Sequence, residues 1–197
     1  MSPRKSDSRE RMLRSTMSLL RIHGATATTI DQVVSHSDTP RGSVYYHFPR
    51  GRTQLVEEAV ELGGDLMTGM IRALAEAGDP VQAVDDFFSH WMEQVRSSDY
   101  RSGCPIVAVA VEANDSAPHL AQAAGEVFSR WQREFADLFM RHGLTEEKSL
   151  RLATLIVAAE EGAVVMCRAQ RDTAPMELAA AEIHSHVVRA FAEDGES

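Results

Sequence analysis

Thr28 to Phe48, TTIDQVVSHSDTPRGSVYYHF, is the stretch whose reading decides the fold. Thr29, with Gln32 three residues on, makes a capping-box pattern, in which the two side chains satisfy main-chain N–H groups of the first turn. A helix is therefore expected to begin at Ile30. Ile30, Val33 and Val34 then give one apolar stripe at helical spacing, and Ser37-Asp38 interrupts it. Thr39-Pro40 restarts a helix, because the residue before proline is held extended, as an N-cap is, and proline suits the first helical position. Val44 and Phe48, four apart, would bury the back of this second helix. The pattern is a helix-turn-helix.

The opposite face of the second helix carries chemistry suited to a polyanion. A guanidinium near its start, Arg41, is the best candidate for a base edge, since it can bind guanine through two hydrogen bonds. Gly42 costs about 1 kcal/mol of helix propensity relative to alanine and would let backbone approach DNA where a side chain would collide. Ser43, Tyr45, Tyr46 and His47 supply hydroxyls and an imidazole that can donate to phosphate oxygens, with one of the two tyrosines expected to pack on the first helix of the chain. Thr28 and Thr29 are candidates to cap the preceding helix and touch the DNA backbone, with capping alone the expected role of Thr29, and Arg52 opens the next helix, where cation and helix dipole together address a phosphate.

The run PRGSVYYHF, with Arg52 and Leu55 after it, resembles the recognition-helix signature of the TetR-type repressors. GCPIVAVAVEA (Gly103 to Ala113), Phe128 to Trp131, and EEGAVVMCRAQRD (Glu160 to Asp172) are similar to the subgroup that includes the lincomycin-resistance (LmrA/YxaF-like) repressors, so the resemblance spans nearly the whole chain. It implies an all-α protein with a three-helix DNA-binding domain over residues 1–51 and a ligand-binding and dimerisation domain over 52–197, about nine helices together. It further implies a homodimeric repressor, bound to a palindromic operator and released by a small hydrophobic molecule. Three positions depart from the family pattern: Asp38 stands where glycine is usual, Thr39 where an apolar residue is usual, and Arg52 where lysine is usual. Asp tolerates left-handed backbone better than most residues, so the turn can survive.

Charge agrees with this polarity. The 197-residue chain carries a net charge of −9, yet its first 56 residues hold nine basic and four acidic side chains, a net of +5, and the remainder a net of −14. A basic head on an acidic body means that only one end approaches phosphate. No apolar run of about twenty residues and no charged-then-apolar leader is present, so neither a membrane span nor a signal peptide is expected. Cys104 and Cys167, with no second pair, fit a reduced cytoplasmic chain better than a disulfide scaffold.

Helices are expected over residues 7–23 with Gly24 as stop, at the pair above, from Arg52 towards Ala77, from Asp79-Pro80 to Ser97, from Cys104-Pro105 to near Asn114, from Pro118 to His142, from Thr145 to Arg171, and from Pro175 onward. No alternating pattern is long enough for a sheet. Aromatic and thioether side chains in the second half, Met67, Met70, Ile71, Phe88, Trp91, Met92, Phe128 and Trp131, with Cys104 and Val107, are the candidates for lining an apolar ligand pocket. Ordinary core packing accounts for such residues equally well, and it is the family resemblance that favours a pocket. Glu112 and Glu161 stand inside apolar runs and need partners if buried. Two further stripes, Leu152, Leu155, Ile156, Ala159, Gly162, Ala163, Met166 and then Met176, Ala179, Ile183, Val187, Ala190, suit a four-helix contact with a second copy.

Catalysis finds no support. Cys104 lacks a nucleophile setting, His184 and His186 diverge on a helix, and no phosphate loop or paired-cysteine zinc spacing occurs, so neither cofactor nor metal is expected. The alternative to a ligand-released repressor is a regulator with the same head, controlled by a protein partner or acting as an activator, without a small-molecule inducer.

Overall fold

The computed structural model describes residues 3–76, 78–113 and 117–194, and every regular element among them is a helix. They run α1 (Pro3–Ala27), α2 (Ile30–Ser37), α3 (Gly42–His47), α4 (Arg52–Glu76), α5 (Pro80–Ser97), α6 (Pro105–Glu112), α7 (Pro118–Arg141), α8 (Glu146–Gln170) and α9 (Ala174–Asp194). Ala77 and Asn114, the expected ends of α4 and α6, lie outside the described residues. Two compact units result, Met1–Asp65 with Cys104–Val127, and Leu66–Gly103 with Phe128–Ser197.

In the first unit, α1 starts at Pro3 instead of Asp7, and its helical dihedrals break at the expected glycine, Gly24, with φ 83° and ψ 175°. Thr29 caps α2 through the full reciprocal pattern: its hydroxyl accepts from Gln32 N, and the Gln32 side chain accepts from Thr29 N at 2.8 Å. Asp38 ends α2 in the left-handed region, φ 50°, its N–H bonded to Val34 O. Thr39 is buried, and its hydroxyl pairs with that of Ser37 at 2.7 Å, so two polar side chains satisfy each other between the helices. That pairing answers the loss of the usual apolar contact, because a buried hydroxyl is costly only when unpaired. The regular part of α3 begins at Gly42, two residues after Pro40, since the chain first makes a tight turn through Ser43 N to Pro40 O (2.9 Å) and Val44 N to Arg41 O (3.2 Å). Val44 and Phe48 are fully buried as their spacing requires, in a core shared with Met12, Leu20, Val33 and Leu55. Helix α6 packs along α1. Close approach at Gly63 helps: a side chain there would meet Met17 Sδ at 3.4 Å and Pro105 at 3.5 Å.

The second unit has an aromatic interior. Phe87 meets Phe135 edge to face with ring centroids 5.1 Å apart, Phe135 stacks on Phe139 at 6.2 Å, and Phe139 meets Phe191 at 6.0 Å. Capping again follows the sequence. Asp79 accepts from Val81 N at 2.8 Å and Gln82 N at 3.1 Å ahead of Pro80, Thr145 accepts from Lys148 N, and Arg171 closes α8 in the left-handed region.

The two stripes expected to meet a second copy are split by the fold. On α8, Leu152, Ile156 and Ala163 turn inward, while Leu155, Gly162 and Met166 are exposed. On α9, Met176, Ile183 and Val187 are all buried, because α9 packs on both α5 and α8 and spends this stripe on its own unit. Leu178 and Val188 form its exposed apolar face instead. Ile183→Glu is therefore expected to destabilise the fold by at least roughly 3 kcal/mol through a buried unpaired charge. Thermal melting followed by circular dichroism checks this, and an unchanged melting temperature would place Ile183 outside the core.

Candidate functional site

The residues expected to face DNA sort into three groups. Arg41, Gly42, Tyr45 and Tyr46 are exposed, with Ser43 and His47 half-buried beside them. Both tyrosines stand out from the surface, 58% and 64% exposed, so neither packs into the core as one was expected to do. The reason is angular: Val44 and Phe48 alone cover the inner side of this short helix, and the residues between them project away. The Tyr45 ring lies over Gly51, where a side chain would meet its Cε1 at 3.4 Å, and Tyr46 sets its ring edge-on to His47 at 4.9 Å. Arg41 forms an exposed ion pair with Asp31 of α2. Such a pair in water is weak and exchangeable, which leaves the guanidinium available to a stronger anion. Arg50, in the turn after α3, pairs similarly with Glu57 at 2.6 Å.

A second group holds the frame. The Thr28 hydroxyl is buried and donates to Gly24 O at 2.7 Å, and Thr29 is occupied with the α2 cap. Arg52 is turned inward: its Nε donates to Thr28 O at 2.7 Å and its Nη2 to Ala25 O. Arginine in place of lysine has a use here, because a planar guanidinium presents separate donors to two carbonyls in fixed directions. From the other side Glu112 of α6 accepts from Thr26 N at 2.5 Å. Its carboxylate also crowds the α carbon of Gly24, where no side chain fits and where φ is already positive. Partial burial works against ionisation of Glu112, but the hydrogen bonds from Thr26 and Ala25 and the charge of Arg52 outweigh it and hold its carboxyl below the ordinary carboxylate range.

The candidate ligand-lining residues do not all fall in one unit. Ile71, Phe88, Trp91 and Trp131 are buried in the second unit, with Met67, Met70, Met92 and Phe128 half-buried there. Cys104 and Val107 belong to the first unit, Cys104 buried at the start of α6 and Val107 half-buried on it. Phe128 and Trp131 meet edge to face at 5.5 Å. One polar group escaped the sequence reading. Glu160 of α8 is fully buried and neither carboxylate oxygen has a hydrogen-bond partner, while the Trp91 indole N–H is likewise buried without one. Desolvation pushes the Glu160 carboxyl well above the ordinary range, and the adjacent Glu161 adds to the shift. The signal was present in the spacing: Glu160 stands four after Ile156, three after Val157 and four before Val164, all inward-facing.

Because the Glu112 pKa is lowered in the folded state, its contribution is complete above the unfolded carboxylate pKa and lost as pH falls through the folded one. Glu112→Gln should thus lower the melting temperature at neutral pH and flatten its decline on acidification. Melting curves across the acid range check it, and an acid decline as steep as that of the parent chain would remove Glu112 from the explanation.

Comparison with known proteins matches both halves of the chain. Residues 12–59 match the model of the bacterial regulatory proteins, tetR family, and residues 80–182 that of the transcriptional regulator LmrA/YxaF-like, C-terminal domain. An uncharacterised HTH-type transcriptional regulator of Mycobacterium tuberculosis (strain ATCC 25618 / H37Rv) is 42% identical over 176 residues, covering 86% of this chain and 89% of that protein. The uncharacterised HTH-type transcriptional regulator YxaF of Bacillus subtilis (strain 168) is 32% identical over 180 residues, covering 91% of this chain and 94% of that protein. The solved regulatory protein TetR from Rhodobacter sphaeroides shares the fold, with a TM-score of 0.80 at 19% identity over 90% of this chain and 97% of that one. With the helix-turn-helix in the first unit and the matching helical second half, this chain belongs to the TetR family of DNA-binding transcriptional regulators and carries a C-terminal domain of the LmrA/YxaF-like type.

Proposed function

We propose that the protein is a ligand-responsive repressor that binds a near-palindromic operator in the cytoplasm as a homodimer and leaves it when a small, largely apolar molecule occupies the second unit. The observation that carries the DNA side is the division of α3: Val44 and Phe48 are fully buried while Arg41, Tyr45 and Tyr46 are exposed in a basic head. Phosphate contacts supply affinity and base-edge contacts supply sequence choice. In this reading Arg41 reads base edges after leaving Asp31, Ser43, Tyr45, Tyr46 and His47 contact the backbone, and Gly42 permits close approach. Arg52, Thr28 and Thr29 act by holding the frame of α2. Residues 1–51 form the DNA-binding domain and 52–197 the ligand-binding and dimerisation domain, with the apolar ligand among Ile71, Phe88, Trp91 and Trp131.

The exposed apolar residues of the second unit support a dimer. Leu155, Val165 and Met166 on α8 and Leu178 and Val188 on α9 are exposed, and a groove of about 500 Å³ lined by Leu152, Leu155, His186 and Ala190 runs between the two helices. Lys148, Arg151, Arg189 and Glu193 complete the lining of that groove, so apolar side chains are set among charges there, as at the rim of an association site. A dimer is also what a short recognition helix needs, since two held a helical turn apart read a palindrome.

Two measurements test the proposal. In gel shifts with a duplex selected by the parent protein from a random pool and a scrambled control, Arg41→Ala should cost roughly 1–3 kcal/mol of discrimination, with affinity falling as salt rises. Full discrimination in that variant would remove Arg41 as the base reader. Gly162→Arg should yield a folded monomer with weak operator binding, because nothing lies within 4 Å of the missing Gly162 side chain in the single chain. Light scattering decides it, and a folded dimer would exclude this face of α8.

A further inference from the structure

Asp31 stands in the first turn of α2, just inside the Thr29 cap, and Arg41 is the residue from which α3 starts. Their ion pair joins the beginnings of the two helices on one open surface, with the side chains 66% and 68% exposed. Among the described residues, the other paired acids of the head lie on α1 and α4 and hold arginines outside α3. Asp31 is thus the acid whose partner is the candidate base reader. An acid in a first turn also complements the helix dipole, but that role asks for no particular partner and no particular DNA.

DNA binding breaks this pair. Once Arg41 turns to a base edge, the Asp31 carboxylate stays on the DNA-facing surface without its cation. A carboxylate bare beside a polyanion is costly, and it can only accept hydrogen bonds. The major groove offers it few donors. Guanine N7 and O6, adenine N7 and thymine O4 are acceptors and repel it, whereas the amino groups of cytosine and adenine donate. Adenine sets N7 beside its amino group, so a carboxylate approaching it meets an acceptor as well. Cytosine presents its N4 amino group without one. The same matching assigns guanine to Arg41, because N7 and O6 take two N–H groups of one guanidinium. A guanidinium seated there fills the edge of its own base pair, so the cytosine that suits the carboxylate lies in the adjoining pair.

We infer that Asp31 is a second, specificity-determining base reader, whose carboxylate accepts from the N4 amino group of a cytosine in the base pair next to the guanine read by Arg41. The inference rests on the proposed assignment of Arg41 and deepens it. Each member of the ion pair gives up the other and finds its replacement on the DNA. A sequence with the guanine but without the cytosine leaves the carboxylate unpaired, and the exchange is then less favourable.

The test scans the duplex that the parent protein selects from a random pool, replacing one base pair at a time and measuring affinity of the full-length protein by gel shift. For the parent, losing the cytosine should weaken binding at least about fivefold. Asp31→Ala should shrink that penalty to within about twofold and leave the penalties at distant base pairs unchanged. Asp31→Asn should move the preference at that position from cytosine to adenine, because an amide matches adenine N6 and N7 together. A purely structural part in α2 could weaken binding but could not change the preferred base. Both substitutions alter an exposed side chain, and melting curves check that each variant is folded before it is scanned. An Asp31→Ala profile identical to the parent's at every base pair overturns the inference, and so does a selected site with no cytosine beside the guanine. Arg41→Ala, scanned in the same way, separates the two readings. Lost preference at the guanine, with no effect of Asp31→Ala, keeps Arg41 as a reader and removes Asp31. An unchanged guanine preference in Arg41→Ala removes the exchange itself, and the inference with it.

Discussion

The first unit hangs on how the polypeptide is held between α1 and α2. Gly24 breaks the helix with positive φ, and the carbonyls and N–H groups of the following residues lose their helical partners. Arg52 takes the Ala25 and Thr28 carbonyls, Glu112 takes the Thr26 N–H, and the Thr28 hydroxyl takes the Gly24 carbonyl. Two distant parts of the sequence, Arg52 and Glu112, thus meet on one short segment. The angle between α1 and α2 follows from these bonds, and with it the direction in which α3 presents its outer face. A charged residue facing bound DNA would have done less here. Arg52 holds two carbonyls of this segment from separate nitrogens of one rigid plane, where a lysine would offer its three donors from a single atom on a flexible stem.

The interior of the second unit follows a different logic. Its stability comes from aromatic contacts such as Phe87 on Phe135 and Phe135 on Phe139, which tolerate no water and direct little. Against that background Glu160 and Trp91 are conspicuous, because each forgoes a hydrogen bond that solvent would supply. A fold under selection for stability alone would place apolar side chains at such positions. The exposed Leu155, Met166 and Val188 are the complementary case, apolar side chains left in water in the single chain.

Charge divides along the sequence and not between the two compact units. The positive balance of the first 56 residues draws the head towards phosphate, and the acidic remainder keeps the rest of the chain away from it.

Local signals made much of this legible beforehand. The Thr29–Gln32 box, Asp79-Pro80, Thr145 and the glycine at 24 marked helix ends because capping is decided by hydrogen bonds between near neighbours. The inward face of α3 was legible too, from Val44 and Phe48 alone. Contacts between distant segments were beyond that reach. Whether Arg52 faced phosphate or the Thr28 carbonyl depended on where α1 ended relative to α4. Whether Ile183 faced a second copy or its own unit depended on how α5 and α8 surround α9, since a helix with one apolar stripe carries no label for its partner. Sequence alone determined the helices, the recognition motif and the charge polarity. Tertiary structure decided which polar groups were left without partners, because burial and pairing are properties of neighbours brought together by the fold.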